Sequence, residues 1–358
     1  MKTFIIACGG TGGHLSPGIA LAEELIERGH RCFLLVSQKK VDEQLCKAYP
    51  KINYIKFPGM GFPRQIFKIP LFLFLQFKSF IKSLKLLFTS RADGVVGFGG
   101  FTNVGIILAA AILKKACFLH EANQKTGKAI RLLSVFAKCV YIPIGASCDH
   151  LFTKKIKTCG FPLRKEIQKI DKNKAREQLG IPIKSKLLVI TGGSQGAKIF
   201  NKWALDNLET FTHRNINVIC LTGVGQKNNT ITLKNEKNTI QVQFIPFAYN
   251  MNVIYSAADL VISRAGAGTI AELTKCETPS ILIPYPHAAD NHQLANALLF
   301  QQICGNIVIE QNEMHTLLEE VLYVLFNKEP LKTMQDNLHF INEENATEVL
   351  ADSILEII

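Results

Sequence analysis

A glycine-rich stretch near the amino terminus contains a residue suited to acid–base chemistry. Cys8 to Gly18 reads CGGTGGHLSPG and lies between the apolar run TFIIA and the helical pattern IALAEELIERG. The glycines would let the backbone approach a bulky ligand, and the helix N-terminus would favour an anion. A lone histidine is usually structural, but a histidine titrates near neutral pH and this one follows a first parallel strand, so His14 is the candidate reactive residue. The stretch therefore predicts a ligand-binding loop with one candidate reactive side chain.

Two common nucleotide-binding motifs do not fit this loop. A nicotinamide site needs G-x-G-x-x-G/A and an acidic residue at the end of the second strand. Here Leu15 stands at the third glycine position, and the strand CFLLV ends in Ser37 to Lys40 without a carboxylate. No G-K-[ST] follows the glycines, which excludes a Walker loop.

The second half of the chain contains two further glycine loops, GGSQGA and SRAGAGT. Two such loops before helices suit a diphosphate, with Ser194 and Thr269 as hydroxyl donors and main-chain N–H groups around them. Glu272 follows Thr269 by about one helical turn, where its carboxylate could accept both hydroxyls of a ribose. Taken alone, GAGT is equally typical of a tight strand-to-helix turn.

Composition and charge limit the class of protein. The 358 residues, 47% of them hydrophobic, are enough for two globular domains. Ten cysteines without a C-x-x-C pair indicate buried thiols, and the absence of a D-x-D pair argues against a metal site. Residues 1–162 contain 23 Lys and Arg against 8 Asp and Glu, whereas residues 163–358 contain 18 against 21. The first half therefore requires an anionic neighbour: nucleic acid, an acidic membrane or a phosphorylated substrate.

Alternating short apolar runs and helical patterns predict an α/β protein with parallel sheets. The pattern starts again after IPIKSK, so we expect two Rossmann-like domains that meet near Gly160 to Arg164. We place the first domain at residues 1–162 and the second at 163–339. A helix at about 340–358 is expected to pack back on the first domain. The chain begins directly with a predicted core strand, so no secretory signal is expected.

The segment from Arg64 to Arg91 is apolar but interrupted by lysines. Its longest apolar run is far below the roughly 20 residues that a membrane span requires. Two interpretations remain: a core helix with a solvated lysine face, or a basic amphipathic helix lying on a membrane. The second places an apolar face beside Lys78, Lys82 and Lys85, formed by Phe72, Leu75, Phe80, Leu84, Leu87 and Phe88.

Several motifs together resemble the MurG family of peptidoglycan glycosyltransferases, in order over most of the chain. They are GGTGGHLSPG, HEAN (residues 120–123), GFPLR (160–164), GGSQGA (192–197), PFAYNM (246–251), SRAGAGTIAEL (263–273) and DNHQLANA (290–297). The resemblance implies a GT-B fold, in which two Rossmann-like domains face a central cleft. It implies transfer of N-acetylglucosamine, with inversion, from UDP-N-acetylglucosamine to the muramoyl 4-hydroxyl of undecaprenyl-diphosphoryl-muramoyl-pentapeptide. That step belongs to peptidoglycan synthesis and so serves cell-wall biogenesis, cell shape and cell division.

The resemblance also implies roles for individual residues. His14 is similar to the family's general base, with Glu121 as the next candidate. The residues implied in UDP-N-acetylglucosamine binding are Thr11, Gly12, Gly13, Asn123, Arg164, Ser194, Ala248, Ala267, Gly268, Thr269, Glu272, Gln293 and Asn296. The residues implied in membrane or acceptor contact are Phe72, Lys78, Lys82, Lys85, Gly100, Phe101 and Asn103. No cofactor, metal or nucleic acid is expected.

Two motifs depart from the family pattern. GGFTNVG stands where the family has Gly-Gly-Tyr-x-Ser-x-Pro, so Phe101, Asn103 and Gly105 replace tyrosine, serine and proline. Tyr249 and Asn250 replace an acidic pair, so only main-chain contacts carry over there.

The lipid-linked acceptor favours interfacial docking of the basic segment, at the cytoplasmic face of the bacterial plasma membrane. Two alternative functions remain. The first is that of another GT-B enzyme, with a soluble acceptor or with epimerase activity. The second is that of a binding scaffold without catalytic activity.

Overall fold

The computed structural model describes residues 1–10, 12–63, 65–148, 151–153, 155–341 and 345–358. The chain divides into two compact units, Met1–Arg164 with Glu344–Ile358, and Lys165–Glu343. Each unit contains a largely parallel sheet whose strands are joined through helices, which confirms the α/β class. Strands and helices are numbered along the chain below.

The first unit contains a parallel sheet in the order β3-β2-β1-β4-β5-β6-β7. Its strands are β1 (Thr3–Ala7), β2 (Arg31–Val36), β3 (Asn53–Lys56), β4 (Gly94–Gly97), β5 (Ala116–His120), β6 (Cys139–Ile142) and β7 (Ile156–Thr158). Its first helices are α1 (Gly12–Glu27), α2 (Lys40–Lys47), α3 (Ile69–Ser90), α4 (Thr102–Ile112) and α5 (Lys128–Leu133). Strands β1 and β4 are buried along their whole length, as expected of central parallel strands with apolar runs.

This strand order places the glycine loops together. The chain leaves β1 toward β2 on one side and later returns to β4 on the other side of β1. The order reverses between β1 and β4, and ligands of open α/β sheets bind beyond the carboxyl ends of strands at that point. The loop that contains Gly9 and Gly10 and the loop that contains Gly99 and Gly100 therefore meet there.

The second unit repeats this arrangement with the order β10-β11-β9-β8-β12-β13-β14. Its strands are β8 (Lys186–Thr191), β9 (Ile216–Leu221), β10 (Asn229–Lys234), β11 (Thr239–Ile245), β12 (Leu260–Ser263), β13 (Ser280–Leu282) and β14 (Ile307–Val308). Its helices are α6 (Lys172–Leu179), α7 (Lys198–Asp206), α8 (Leu208–His213), α9 (Met251–Ala257), α10 (Ala267–Lys275), α11 (His292–Cys304), α12 (Leu317–Phe326) and α13 (Lys328–Ile341). The order reverses between β8 and β12, whose loops are GGSQGA and SRAGAGT.

One strand of the second sheet corrects the expectation of purely parallel sheets. Strand β10 pairs antiparallel with β11, from Asn229 opposite Phe244 to Lys234 opposite Thr239. Side chains along β10 alternate between half-buried and exposed, which is typical of an edge strand. The short, polar sequence NTITLK does not stand out as a buried run, so the sequence analysis did not predict it.

The last helix, α14 (Ala346–Ile357), belongs to the first unit. The hydroxyl groups of Tyr141 and Ser353 are 3.0 Å apart, and Arg28 forms an ion pair with Asp352. Thr347 donates a hydrogen bond to the carbonyl of Leu163. These contacts attach the carboxyl terminus of the chain to α1, β6 and the segment after β7.

Candidate active site

His14 lies in the first turn of α1, and its ring packs on the backbone of the loop after β4. A Cβ atom at Gly99 would lie 3.2 Å from Nε2 of His14, and one at Gly100 would lie 3.2 Å from Nδ1. Both glycines have positive φ angles, 95° and 76°, which side chains rarely tolerate. Glycine at these positions thus leaves room for the imidazole and permits the turn beneath it.

The two loops are also joined by other contacts. The hydroxyl of Thr102 donates to the carbonyl of Gly9 at 3.1 Å. The ring of Phe101 lies between two glycines, because a Cβ at Gly10 would be 3.2 Å from it and one at Gly59 would be 2.5 Å away. Phe101, which replaces the family's tyrosine, therefore joins three segments by packing: its own loop after β4, the loop that contains Gly10 and the segment that contains Gly59.

Asn103 was predicted to contact the acceptor, and the structure corrects this for its side chain. Asn103 is completely buried in the first turn of α4. Its Oδ1 lies where a Cβ at Gly97 would come within 2.8 Å, so the amide faces strand β4. The reason is that Asn103 lies on the side of α4 that faces the sheet. Gly100 is half-buried, Gly12 is half-buried and Gly13 is exposed at the start of α1, whereas Thr11 lies outside the described residues.

Glu121 is held as a structural carboxylate. Its Oε1 accepts hydrogen bonds from the backbone N–H and the side-chain amide of Asn123, both at 2.9 Å, and its Oε2 accepts from the N–H of Gly127 at 2.7 Å. The residue is nearly completely buried. Since both oxygens already accept N–H donors, Glu121 is a poorer base candidate than His14. It instead fixes the loop that presents Asn123, which is half-exposed.

His120 and Arg164 both bond within the first unit. Nε2 of His120 bonds to the carbonyl of Gly160 at 3.0 Å, and burial lowers the pKa of His120 to about 4 although that bond opposes the shift. Arg164 is buried and donates from its guanidinium to the hydroxyl of Tyr49 at 2.9 Å.

In the second unit, the GGSQGA loop is built by close backbone packing. A Cβ at Gly196 would collide with the carbonyl of Thr222, and one at Gly223 would collide with the carbonyl of Gln195. Both glycines have positive φ. The loop after β8 and the loop after β9 thus touch backbone to backbone, which fixes the position of the half-buried Ser194.

The SRAGAGT loop leads into α10, whose first three residues are Ala267, Gly268 and Thr269. They and Glu272, one turn later, are half-buried, so the helix N-terminus is reachable by a ligand. The free N–H groups of a first helical turn attract anions. This arrangement suits a phosphate at the helix start and a hydroxyl-bearing group at Glu272.

Arg264 is a buried residue of this loop that the sequence analysis missed. Its guanidinium lies over the rings of Phe200 and Tyr285, 4.6 and 5.4 Å from their centroids. It also donates to the carbonyl of Ile283 at 3.1 Å and to the side chain of Gln311 at 2.6 Å. Burial lowers its pKa. These contacts attach the loop to the end of β13. Arg264 is the second residue of the SRAGAGT motif, so the motif could have indicated its importance.

Helix α11 contributes the two remaining polar residues. Oε1 of the half-buried Gln293 accepts from the N–H of Tyr285 at 2.9 Å. Asn296 is buried and donates to the carbonyl of Ala265 at 3.1 Å. Asn296 therefore supports the SRAGAGT loop from behind. Ala248 lies half-buried in the loop before α9, beside the edge-to-face pair of Phe247 and Tyr249 with centroids 4.9 Å apart.

The structure corrects the predicted apolar face of the basic segment. Leu87 is buried and Phe80 and Leu84 pack against the core of the first unit, while Phe72 is half-buried against Phe62. Leu75 is half-buried, and Phe88 is the member of the predicted face that is exposed. The outward face of α3 otherwise consists of residues outside the predicted set, Phe74, Phe77 and Ile81, and 48–82% of each of these three side chains and of Phe88 is exposed.

Two lysines of α3 lie on this outward side, and the third is bonded to the protein. Lys78 and Lys85 are exposed among the apolar residues. Nζ of Lys82 donates to the carbonyl of Lys56 at 2.6 Å and lies 4.7 Å from the ring centroid of Phe57. No helix among the described residues is long and apolar enough to span a membrane. In the same part of the chain, no group of three or more His, Cys, Asp or Glu is arranged to hold a metal.

Comparison with known proteins places both units in one family. Residues 4–142 match the profile of the glycosyltransferase family 28 N-terminal domain, and residues 187–352 match that of its C-terminal domain. A protein of Opitutus terrae named UDP-N-acetylglucosamine--N-acetylmuramyl-(pentapeptide) pyrophosphoryl-undecaprenol N-acetylglucosamine transferase is 43% identical, over 100% of this chain and 95% of its own length. A protein of Caldanaerobacter subterraneus with the same name is 30% identical, over 96% of each chain.

Solved structures agree with this placement. The crystal structure of Acinetobacter baumannii MurG superposes with a TM-score of 0.73 at 26% identity, covering 99% of this chain and 100% of that chain. The calicheamicin glycosyltransferase CalG4 superposes with a TM-score of 0.68 at 12% identity, covering 99% of this chain and 98% of that chain, and shows the fold alone.

Proposed function

Because the chain belongs to glycosyltransferase family 28 and to its MurG members, we propose that it transfers N-acetylglucosamine from UDP-N-acetylglucosamine to the lipid-linked muramoyl-pentapeptide. The observation that carries this function is 43% identity over the full chain to a relative named for that reaction. The product is the second lipid-linked precursor of peptidoglycan. An epimerase or a soluble-acceptor transferase has support only at the level of fold, and a scaffold without activity leaves the reactive loop unexplained.

The reaction needs a base on the acceptor hydroxyl. As that oxygen forms its bond to the anomeric carbon, the bond from this carbon to the UDP oxygen breaks and UDP leaves with the electron pair. His14 takes the hydroxyl proton. The packing of its ring on Gly99 and Gly100, at the point where the strand order reverses, supports this role. Glu121 is the poorer candidate because both of its oxygens already accept N–H donors.

The second unit holds the nucleotide. The N–H groups at the start of α10, from Ala267 to Thr269, bind phosphate together with Ser194, and Glu272 accepts the ribose hydroxyls. The main chain at Ala248 contacts the uracil. The sugar contacts Gln293, with Asn296 acting through Ala265. For the first unit, considered by itself, the residues that we propose for donor binding are Gly12, Gly13, Asn123 and Arg164.

His14→Ala tests the chemistry. Loss of a general base typically lowers kcat by about 10²–10⁴-fold, whereas loss of a substrate contact raises KM. The measurement is release of UDP from UDP-N-acetylglucosamine with a short-chain lipid acceptor. His30→Ala is the control, because His30 precedes β2 in the same unit and bonds to the backbone of Lys2. Normal kcat in His14→Ala would exclude His14 as the base, and absence of turnover in the native chain would overturn the proposed function.

The outward face of α3 docks on the cytoplasmic face of an anionic plasma membrane. Exposed apolar patches mark interaction sites, and an amphipathic helix with aromatic and lysine residues lies at the lipid interface. Each lysine near an anionic surface contributes about 1 kcal/mol, and burial of Phe74 and Phe77 adds to this. Lys82 contributes less because it is bonded to Lys56.

Two double variants test membrane docking. Lys78→Glu with Lys85→Glu, and separately Phe74→Ser with Phe77→Ser, should release the protein from phosphatidylglycerol vesicles in a sedimentation assay. Lys227→Glu with Lys237→Glu changes the net charge equally at exposed positions in the second unit and should leave binding unchanged. Equal loss in this control would mean that only net charge matters, and retained binding in both α3 variants would exclude the helix as the docking surface.

A further inference from the structure

The connection after β2 and the first turn of α2 hold the backbone of the glycine loop that follows β1. Oδ2 of Asp42 accepts hydrogen bonds from the N–H of Gly10 at 3.0 Å, the N–H of Ser37 at 3.0 Å and the hydroxyl of Ser37 at 2.6 Å. The Asp42 side chain is completely buried. A buried carboxylate is costly unless hydrogen bonds compensate it. Here three donors converge on Oδ2, while Oδ1 has no hydrogen-bond partner among the described residues.

The same connection also holds the other side of Gly10. Nζ of Lys39 donates to the carbonyl of Gly10 at 2.6 Å, while the N–H of Lys39 donates to the hydroxyl of Ser37. Gly9 runs so close to Ser37 that a Cβ would collide with the Ser37 nitrogen. Both the N–H and the C=O of Gly10 are therefore bonded, which fixes a residue whose φ is 123°.

Gly10 also contacts the loop on which the ring of His14 packs, through the side chain of Phe101. Its position beneath the ring of Phe101 sets the spacing to the loop whose Gly99 and Gly100 support the imidazole. A shift of Gly10 would move one loop against the other and tilt the ring of His14. A misplacement of about 1 Å in a reacting group can cost about 10²-fold in rate.

We propose that Asp42 and Lys39 form a clamp on Gly10 that positions His14 for removal of the acceptor proton. This inference rests on the proposed role of His14 as the base. Asp42 and Lys39 are positioning residues that act through the backbone of Gly10 and do not touch the substrate. The clamp explains why a carboxylate accepts from the N–H of Gly10 while an ammonium group donates to its carbonyl.

Asp42→Asn is the main test, because an amide oxygen is a weaker acceptor of similar size. We expect kcat to fall about 10–100-fold while the affinity for UDP, measured by calorimetry, stays within twofold. Asp93→Asn is the matched control. Asp93 also accepts a backbone N–H, that of Thr3 at 2.7 Å, but at the amino end of β1 in the same sheet. It should retain native kcat.

Lys39 provides a test that does not depend on a buried substitution. Lys39→Met removes the ammonium group from an exposed side chain and should lower kcat several-fold, with unchanged thermal unfolding. Lys39→Arg should restore the rate, since a guanidinium can donate to the Gly10 carbonyl. Native kcat in both Asp42→Asn and Lys39→Met would overturn the clamp, as would failure of Lys39→Arg to restore activity.

A double-mutant cycle separates the clamp from the proposed function. If Asp42 acts through His14, Asp42→Asn should cause no further loss of rate in a His14→Ala background. An equal loss in both backgrounds would place the effect of Asp42 elsewhere and overturn the inference. Normal kcat in His14→Ala alone would instead overturn the role of His14, whatever Asp42→Asn does.

Discussion

Because the ring of His14 packs on Gly100, we expect a methyl group added at Gly100 to lower activity. In Gly100→Ala the new Cβ would lie 3.2 Å from Nδ1 of His14 and 3.4 Å from the carbonyl oxygen of Gly9. Favourable contacts between heavy atoms lie at about 3.5–4.0 Å, so the ring must move by a few tenths of an ångström. If 1 Å costs about 10²-fold, this shift should lower kcat about threefold to tenfold.

Backbone strain has to be separated from this contact. Gly100 has a φ of 76°, where a side chain costs about 1–2 kcal/mol. Gly29 has a φ of 82° in the same unit, and among the described residues no heavy atom beyond its two chain neighbours lies within 4 Å of where its Cβ would be. Gly29→Ala therefore carries similar strain without a contact to the histidine.

The assay compares the two variants by urea unfolding and by UDP release with the lipid acceptor at saturating donor. Both should lose about 1–2 kcal/mol of unfolding free energy, and only Gly100→Ala should lose kcat. An equal loss of kcat in Gly29→Ala would mean that strain alone lowers activity. Native kcat in Gly100→Ala would refute the reasoning, because it would show that the position of the ring does not govern the rate.

Two other outcomes follow from the structure. Glu272→Ala should weaken UDP binding about 10–150-fold in calorimetry, because it removes a charge-assisted hydrogen bond worth about 1.5–3 kcal/mol. Glu209→Ala, which removes an exposed carboxylate of α8, should leave UDP affinity unchanged. Unchanged affinity in Glu272→Ala would exclude Glu272 as a ribose-binding residue. His120 is neutral when buried, with its pKa lowered to about 4, so stability should be complete above pH 6.5 and fall toward pH 4 as the unfolded state gains a proton. Between pH 6.5 and pH 4 the native chain should lose up to about 3 kcal/mol more unfolding free energy in urea than His120→Gln does. Equal losses in the two proteins would contradict this prediction.

Fully buried central strands were the most predictable part of the fold. β1, β4, β5 and β8 are short β-branched or apolar runs, and burial on both faces leaves no polar alternation to confuse the pattern. The edge strands β3, β7, β10 and β14 were not predicted, because they are short and largely exposed or half-buried. Their pairing depends on the neighbouring strand more than on their own sequence.

The sequence predicted the amphipathic character of α3 but not its orientation. Apolar residues occupy both sides of this helix, so periodicity alone offered two possible faces. Packing against α4 selected the face with Ser79, Ser83 and Leu87, whose small residues permit close approach. The larger side chains Phe74 and Phe77 were left outside.

The Asp42 clamp was beyond sequence analysis for a related reason. A carboxylate that binds a ribose is expected at the end of β2, and Ser37 to Lys40 contain none. The carboxylate comes in the first turn of α2 and faces the backbone of Gly10, a contact over 32 residues of sequence. Only the order of strands in the sheet brings these two segments together.

In each unit, the candidate site residues depend on glycines whose partners are set by the topology of the sheet. In the first unit, Gly99 and Gly100 accommodate His14; in the second, Gly196 and Gly223 accommodate the carbonyls of Thr222 and Gln195. A glycine has the largest entropy to lose on folding, so flexible loops with this composition would bind weakly. Here each loop is instead closed by contacts that a Cβ would prevent, before any substrate arrives. The glycines therefore provide rigidity, because the backbone packing that their small size permits holds His14 in the first unit and Ser194 in the second unit in position.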